Sequence, residues 1–121
     1  MKTVKEIMQR HVLAVNASAS VGTAIKLMSN ARVSILPVLN GSRLVGILTK
    51  KEAEAEQANA RIGSLKLKLL YATEDDSIEN AAKIMVSNAI TRLPVVSEAT
   101  TLHCVGIVSS TEIARYHKNV K

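Results

Sequence analysis

The sequence predicts an α+β fold, layered in a sandwich-like way, built from two copies of one β-α-β-β-α unit. Three observations predict it: a gap-free internal repeat, apolar residues that switch between strand and helical spacing within each copy, and a hairpin signal at the same place in both. Residues 20–38, SVGTAIKLMSNARVSILPV, align on residues 77–95, SIENAAKIMVSNAITRLPV, 57 positions later. Ser20/Ser77, Ala24/Ala81, Lys26/Lys83, Met28/Met85, Leu36/Leu93, Pro37/Pro94 and Val38/Val95 are identical. Downstream, Gly46-Ile-Leu-Thr-Lys-Lys-Glu52 matches Gly106-Ile-Val-Ser-Ser-Thr-Glu112 60 positions later, so the second copy carries three extra residues in its hairpin loop. The copies are expected to occupy residues 1–60 and 61–121.

Each element follows from local chemistry. Val12–Val15 and Leu69–Ala72 are apolar runs of strand length. Ser20 and Ser77 are expected N-caps, because a serine oxygen accepts from the unpaired N–H groups that open a helix. Apolar residues then recur at helical spacing: Val21, Ala24, Ile25, Met28 and Ala31 in the first copy, Ile78, Ala81, Ala82, Met85 and Ala89 in the second. A strand follows at Ile35–Leu39 or Arg92–Val96, with Pro37 and Pro94 read as structural residues at an edge or first strand position. The turn is Asn40-Gly41 in one copy and the longer Ser97–Thr101 in the other, and the return strands are Leu44–Leu48 and Leu102–Val108. Thr49-x-x-Glu52 and Ser109-x-x-Glu112 are capping boxes that open the last helix of each copy.

A unit of about 60 residues leaves apolar surface uncovered, which gives the two copies a reason to pack sheet to sheet with pseudo-twofold symmetry. Residues 53–64 read as a helix end and a connection rather than a flexible linker.

Composition narrows the function. The chain has 121 residues, 47% of them hydrophobic, with no Trp or Phe and two Tyr, so its core is aliphatic and base-stacking aromatics are scarce. The lone Cys104 has no disulfide partner, and with His11, His103 and His117 it forms no metal-ligand spacing, so no metal is expected. No apolar run reaches the length of a membrane span or a signal peptide, and the protein is read as soluble and cytoplasmic. The net charge of +6 suits an anionic partner, yet Lys and Arg are scattered and their longest run is Lys50-Lys51. No Ser-His-Asp, Cys-His or paired-carboxylate arrangement and no phosphate-cradling Gly-rich loop stands out, so no catalytic residue is expected.

A β-α-β-β-α repeat with a Leu-Pro-Val strand, a hairpin, and Gly-apolar-apolar-Thr/Ser-x-x-acid opening the last helix resembles the CBS (cystathionine-β-synthase) domain. The tandem copies resemble the stand-alone CBS pair, or Bateman module. Met8 after Lys5-Glu6-Ile7 is similar to the Ile-Met signature often found ahead of the first strand in that family. The resemblance implies a regulatory or sensing module without catalysis, which binds AMP, ADP, ATP or S-adenosylmethionine in a cleft between the copies. It implies that the first strand of one copy and the Gly motif of the other make each site. Carried over by position, Thr49 and Glu52 serve one site and Ser109 and Glu112 the other, with Ala14, Val15, Ala72 and Thr73 beside the adenines. Arg92 stands at an often basic, phosphate-directed position that holds Ile35 in the first copy. Lys51 stands at another, where the second copy has Thr111. The two sites are therefore expected to differ. The resemblance also implies a homodimer and an effector protein that reads the bound state.

One departure bears on the ribose: the family's usual acid is Asp, and both copies here have Glu. Glu can reach a ribose, but in a capping box it also has a role that needs no ligand. Thr49 and Ser109 likewise read as plain caps or as phosphate donors, and Arg92 as a solvated strand residue or a phosphate ligand. Lys50 and Lys51 in a first helical turn oppose the helix dipole, which points to a nearby anion. Two other classes of function stay open: a nucleic-acid-binding module using the basic surface, and a ligand-free structural dimerisation module.

Overall fold

The computed structural model describes residues 2–119. The chain forms two compact units, one made of Leu13–Leu69, the other of the residues up to Val12 together with those from Leu70 onward. The first unit contains β1 (Val15–Asn16), α1 (Val21–Ala31), β2 (Ile35–Asn40), β3 (Arg43–Thr49) and α2 (Lys50–Glu54). The second contains β4 (Ala72–Thr73), α3 (Ile78–Ser87), β5 (Arg92–Val96), β6 (Cys104–Ser109) and α4 (Ser110–Asn119). Each unit has a three-stranded sheet, β1-β2-β3 or β4-β5-β6, parallel at its first pairing and antiparallel at its second. This is the α+β class and the element order that the repeat predicts.

The first helices form as their sequences require. The Ser20 hydroxyl accepts from the Thr23 N–H at 3.2 Å, and that of Ser77 from the Asn80 N–H at 3.0 Å. Val21, Ala24 and Met28 on α1, and Ile78, Ala81 and Met85 on α3, are buried. Ala31 and Ala89, placed on the same apolar stripes by spacing alone, are exposed because the helices end there. Both ends are Schellman turns: Val33 N–H donates to Met28 O and Ile90 N–H to Met85 O, each at 3.0 Å. The left-handed residue of each turn is not glycine but Arg32, at φ 56°, or Ala89, at φ 54°.

The strands differ from expectation in three places. The first strands are two residues long and start at the ends of the expected runs, at Val15 and Ala72; Leu13 and Leu70 pack on the cores without joining a ladder. The tight turn lies one residue later than Asn40-Gly41. Asn40 pairs with Arg43, and Gly41, at φ +64°, is the only central residue with positive φ, the pattern of a type II′ turn.

The third difference is a correction: Pro37 and Pro94 lie inside the central strands, β2 and β5, rather than at an edge or first position. Ile47, opposite Pro37, gives its N–H to Lys68 O, and Ile107, opposite Pro94, gives its own to Gln9 O, both at 2.9 Å. The proline nitrogens therefore face the first-strand side, where parallel pairing begins only at Val38 and Val95. No ladder bond is lost at either proline.

Each core is closed by a segment that precedes the other repeat in sequence. Val4, in a 3-10 turn at Val4–Glu6, and Met8 join the core of the second unit. Ile62, in a 3-10 turn at Ile62–Ser64, joins that of the first. Hydrogen bonds fix these segments, Val4 N–H to Asp76 O at 2.9 Å and Ile62 N–H to Ala19 O at 3.0 Å. The connection at residues 53–64 is likewise tied down, with Gly22 N–H donating to Ala58 O at 2.8 Å and Val21 N–H to Ala60 O at 2.9 Å.

Candidate ligand-binding site

In the first unit β3 runs directly into α2, and the junction is the capping box expected at Thr49. The Thr49 backbone N–H and hydroxyl both donate to Glu52 Oε1, at 3.0 and 2.9 Å, and Glu52 N–H returns a bond to Thr49 Oγ1 at 3.2 Å. Lys51 is exposed in the first turn of the same five-residue helix. Ile35, the cross-strand partner of Thr49, is buried. Glu52 also lines a cavity of about 240 Å³ shared with Leu48, Ala55, Glu56, Leu65, Lys66 and Leu67. The peptide that leads toward β4 thus lies beside the Gly motif of the first repeat.

The second unit repeats the box on a ten-residue helix. Ser109 donates to Glu112 Oε1 from its backbone at 2.7 Å and its hydroxyl at 2.6 Å, and Glu112 N–H donates to Ser109 Oγ at 3.4 Å. Here Arg92, half-buried, is the cross-strand partner of Ser109. The structure so brings Arg92, Ser109 and Glu112 to one end of the β5–β6 ladder. Gln9 adds a contact: its side-chain amide donates to Glu112 Oε2 at 2.9 Å.

The remaining expected residues lie at the first strands. Val15 and Ala72 point into the cores of their own units, which leaves their backbone for any outside contact. Ala14 is half-buried just before β1. Thr73 is half-buried too, and its N–H donates to Asp76 Oδ2 at 2.8 Å.

Gln9 and Leu65–Leu67 escaped the sequence reading. The signal that could have found them is glycine in mid-strand, which marks close approach of another backbone. A Cβ on Gly46 would stand 2.6 Å from Leu67 Cβ, and one on Gly106 would stand 2.9 Å from Gln9 O.

Two titrating groups lie apart from these motifs. Burial pushes the Cys104 thiol above its ordinary value, against a smaller opposing effect from the Gly106 carbonyl. A bond from the Thr3 backbone N–H holds the exposed Glu6 carboxyl below the usual range. Among the described residues no group of three or more His, Cys, Asp or Glu could hold a metal ion, and no helix is long and apolar enough to cross a membrane.

Two units with one element order, each closing a hairpin into a helix on the same Gly-x-x-Thr/Ser-x-x-Glu motif, define a tandem-repeat α+β module. The CBS domain family matches residues 4–54 and 63–119. The chain belongs to the CBS domain family. It is 30% identical over 121 residues to the CBS domain-containing protein YhcV of Bacillus subtilis, covering 94% of this chain and 84% of that protein. It is 31% identical to the inosine-5'-monophosphate dehydrogenase of Methanocaldococcus jannaschii, over 98% of this chain but only 24% of the dehydrogenase. What is shared with that enzyme is therefore about a quarter of its length. Among solved structures, the CBS domain pair of protein MJ0100 in complex with 5-methylthioadenosine and S-adenosyl-L-methionine superposes with a TM-score of 0.81 at 26% identity, covering 100% of this chain and 99% of that one.

Proposed function

We propose that this chain is a non-catalytic regulatory module that binds an adenosine-containing ligand: AMP, ADP, ATP or S-adenosylmethionine. The binding residues are Ala14, Val15, Thr49, Lys51 and Glu52 on one side of the repeat, and Ala72, Thr73, Arg92, Ser109 and Glu112 on the other. The observation that carries this reading is the pairing of Arg92 with Ser109 across β5 and β6, at the start of a ten-residue helix. A helix start offers unpaired N–H groups and the positive end of the dipole to a phosphate, and a guanidinium beside it adds a charge-assisted bond. The likeness to the MJ0100 pair, whose complex holds two adenosine compounds, supports the same ligand class.

Binding regulates only if the ligand prefers one arrangement of the protein over another. A homodimer read by an effector protein is the form in which such a preference acts.

The test is calorimetric titration of the chain with AMP, ADP, ATP and S-adenosylmethionine at physiological salt. Micromolar binding of at least one is expected, weakened about tenfold or more by Arg92→Ala if the ligand carries phosphate, as loss of one charge-assisted bond implies. Silence from all four, with retention on nucleic acid at the same salt, would transfer the function to the basic surface.

A further inference from the structure

The two motifs have the same residues but differ in what their carboxylates have left to offer. An ionised carboxylate has roughly two acceptor positions on each oxygen. In both motifs Oε1 is fully used, since it accepts the backbone N–H and the hydroxyl of its own cap, Thr49 or Ser109. The difference lies at Oε2. On Glu112 it accepts the Gln9 amide at 2.9 Å, whereas among the described residues nothing donates to Oε2 of Glu52.

The asymmetry is built into the crossing segments. Gln9 pairs with Ile107 on β6, and the residue that pairs with Ile47 on β3 is Lys68. Lys68 makes no ion pair with Glu52. Glu52 is exposed and borders the cavity walled by Leu48, Leu65 and Leu67, while Glu112 is half-buried.

A ribose presents two adjacent hydroxyls, and a carboxylate oxygen with both positions open accepts the pair without breaking any bond. Glu52 Oε2 meets that condition, and Glu112 Oε2 does not. Resting on the proposed adenosine-binding function, we propose that Gln9 is a specificity-determining residue: by occupying Glu112 it reserves recognition of the ligand's vicinal diol for Glu52. The module then takes up one diol-bearing ligand per chain by this route, even though the motif occurs twice.

The experiment is calorimetric titration of the full chain with AMP and with its 2′-deoxy analogue, for the wild type and for Glu52→Gln, Glu112→Gln and Gln9→Ala. Glutamine at the third helical position preserves a capping box but exchanges the free acceptor for a donor, so the fold is kept while diol recognition is removed. The wild type should bind one equivalent of AMP and prefer it over the deoxy analogue about tenfold, the order expected for one hydrogen bond to a charged group. Glu52→Gln should abolish that preference, Glu112→Gln should leave it unchanged, and Gln9→Ala should admit a second equivalent.

A preference that survives Glu52→Gln or vanishes in Glu112→Gln overturns the assignment, as does a wild type that binds two equal equivalents or a Gln9→Ala variant that gains none. AMP binding with no preference for the diol overturns this inference and leaves the proposed function standing. Silence of the wild type and all three variants toward AMP, ADP, ATP and S-adenosylmethionine overturns both.

Discussion

Arg32 and Ala89 hold left-handed backbone at the ends of α1 and α3, where a side chain meets its own carbonyl and glycine does not. Ala89 is exposed, so nothing in the core changes when it is replaced. Relief of the steric penalty exceeds the extra freedom glycine gives the unfolded chain, and Ala89→Gly should stabilise the protein by about 0.5–1 kcal/mol. A urea midpoint that stays put or falls would refute this. Cys104 gives a pH prediction. Burial raises its pKa in the folded state, so the thiol's contribution is intact below the unfolded-state pKa and fades as pH rises through that value toward the folded one. Urea stability measured from pH 7 to 10 should decline in this window, and Cys104→Ser should remove that part of the slope; an identical slope in the variant would assign it elsewhere. At this scale the sequence was legible wherever partners are near in the chain. Both capping boxes span three residues and were readable from the motif alone, whereas the Gln9–Glu112 bond spans 103 and exists only through tertiary pairing.

At the scale of elements, β3 and β6 each carry a glycine because another backbone crosses them there. Adding a Cβ at Gly46 brings it to 2.6 Å from Leu67 Cβ and 3.1 Å from Lys68 O, neither of which is the far end of a flexible side chain. Gly46→Ala should therefore cost about 1–3 kcal/mol, the usual range for overpacking a core. Adding Leu67→Ala should not restore stability, because alanine keeps the offending Cβ, while Leu67→Gly should restore part of it. Denaturant titration of the three variants checks the order, and recovery with Leu67→Ala would show that the clash lies further out on the side chain. Helices and hairpins were legible because their periods and caps are local. The first strands were not, since Leu13 and Leu70 contribute the same hydrophobic signal as ladder residues while only packing on the core. The prolines misled for a related reason: their place in central strands is allowed only because the first strands start one residue beyond them, a fact of register and not of composition.

For the whole molecule, the repeat visible at 1–60 and 61–121 describes the sequence, while packing exchanges two segments between the halves. The unit with β4, β5 and β6 takes Val4 and Met8 from the chain's first residues, with Val4 fully buried and Met8 9% exposed. Truncating a buried Met alone commonly costs about 2–5 kcal/mol, comparable with much of a small domain's stability. Deleting residues 1–9 also leaves the Ile107 N–H without its Gln9 acceptor and the Asp76 carbonyl without the Val4 donor. The deletion should therefore collapse hydrogen-exchange protection at Leu93, Val95 and Ile107, with a smaller loss at Val38 and Leu48, whose core draws on Ile62 instead. Native-state exchange on the truncated chain measures this residue by residue. An even loss across both units would mean that the chain unfolds only as one cooperative body, and no loss at Ile107 would mean that the crossing segment closes the core without stabilising it.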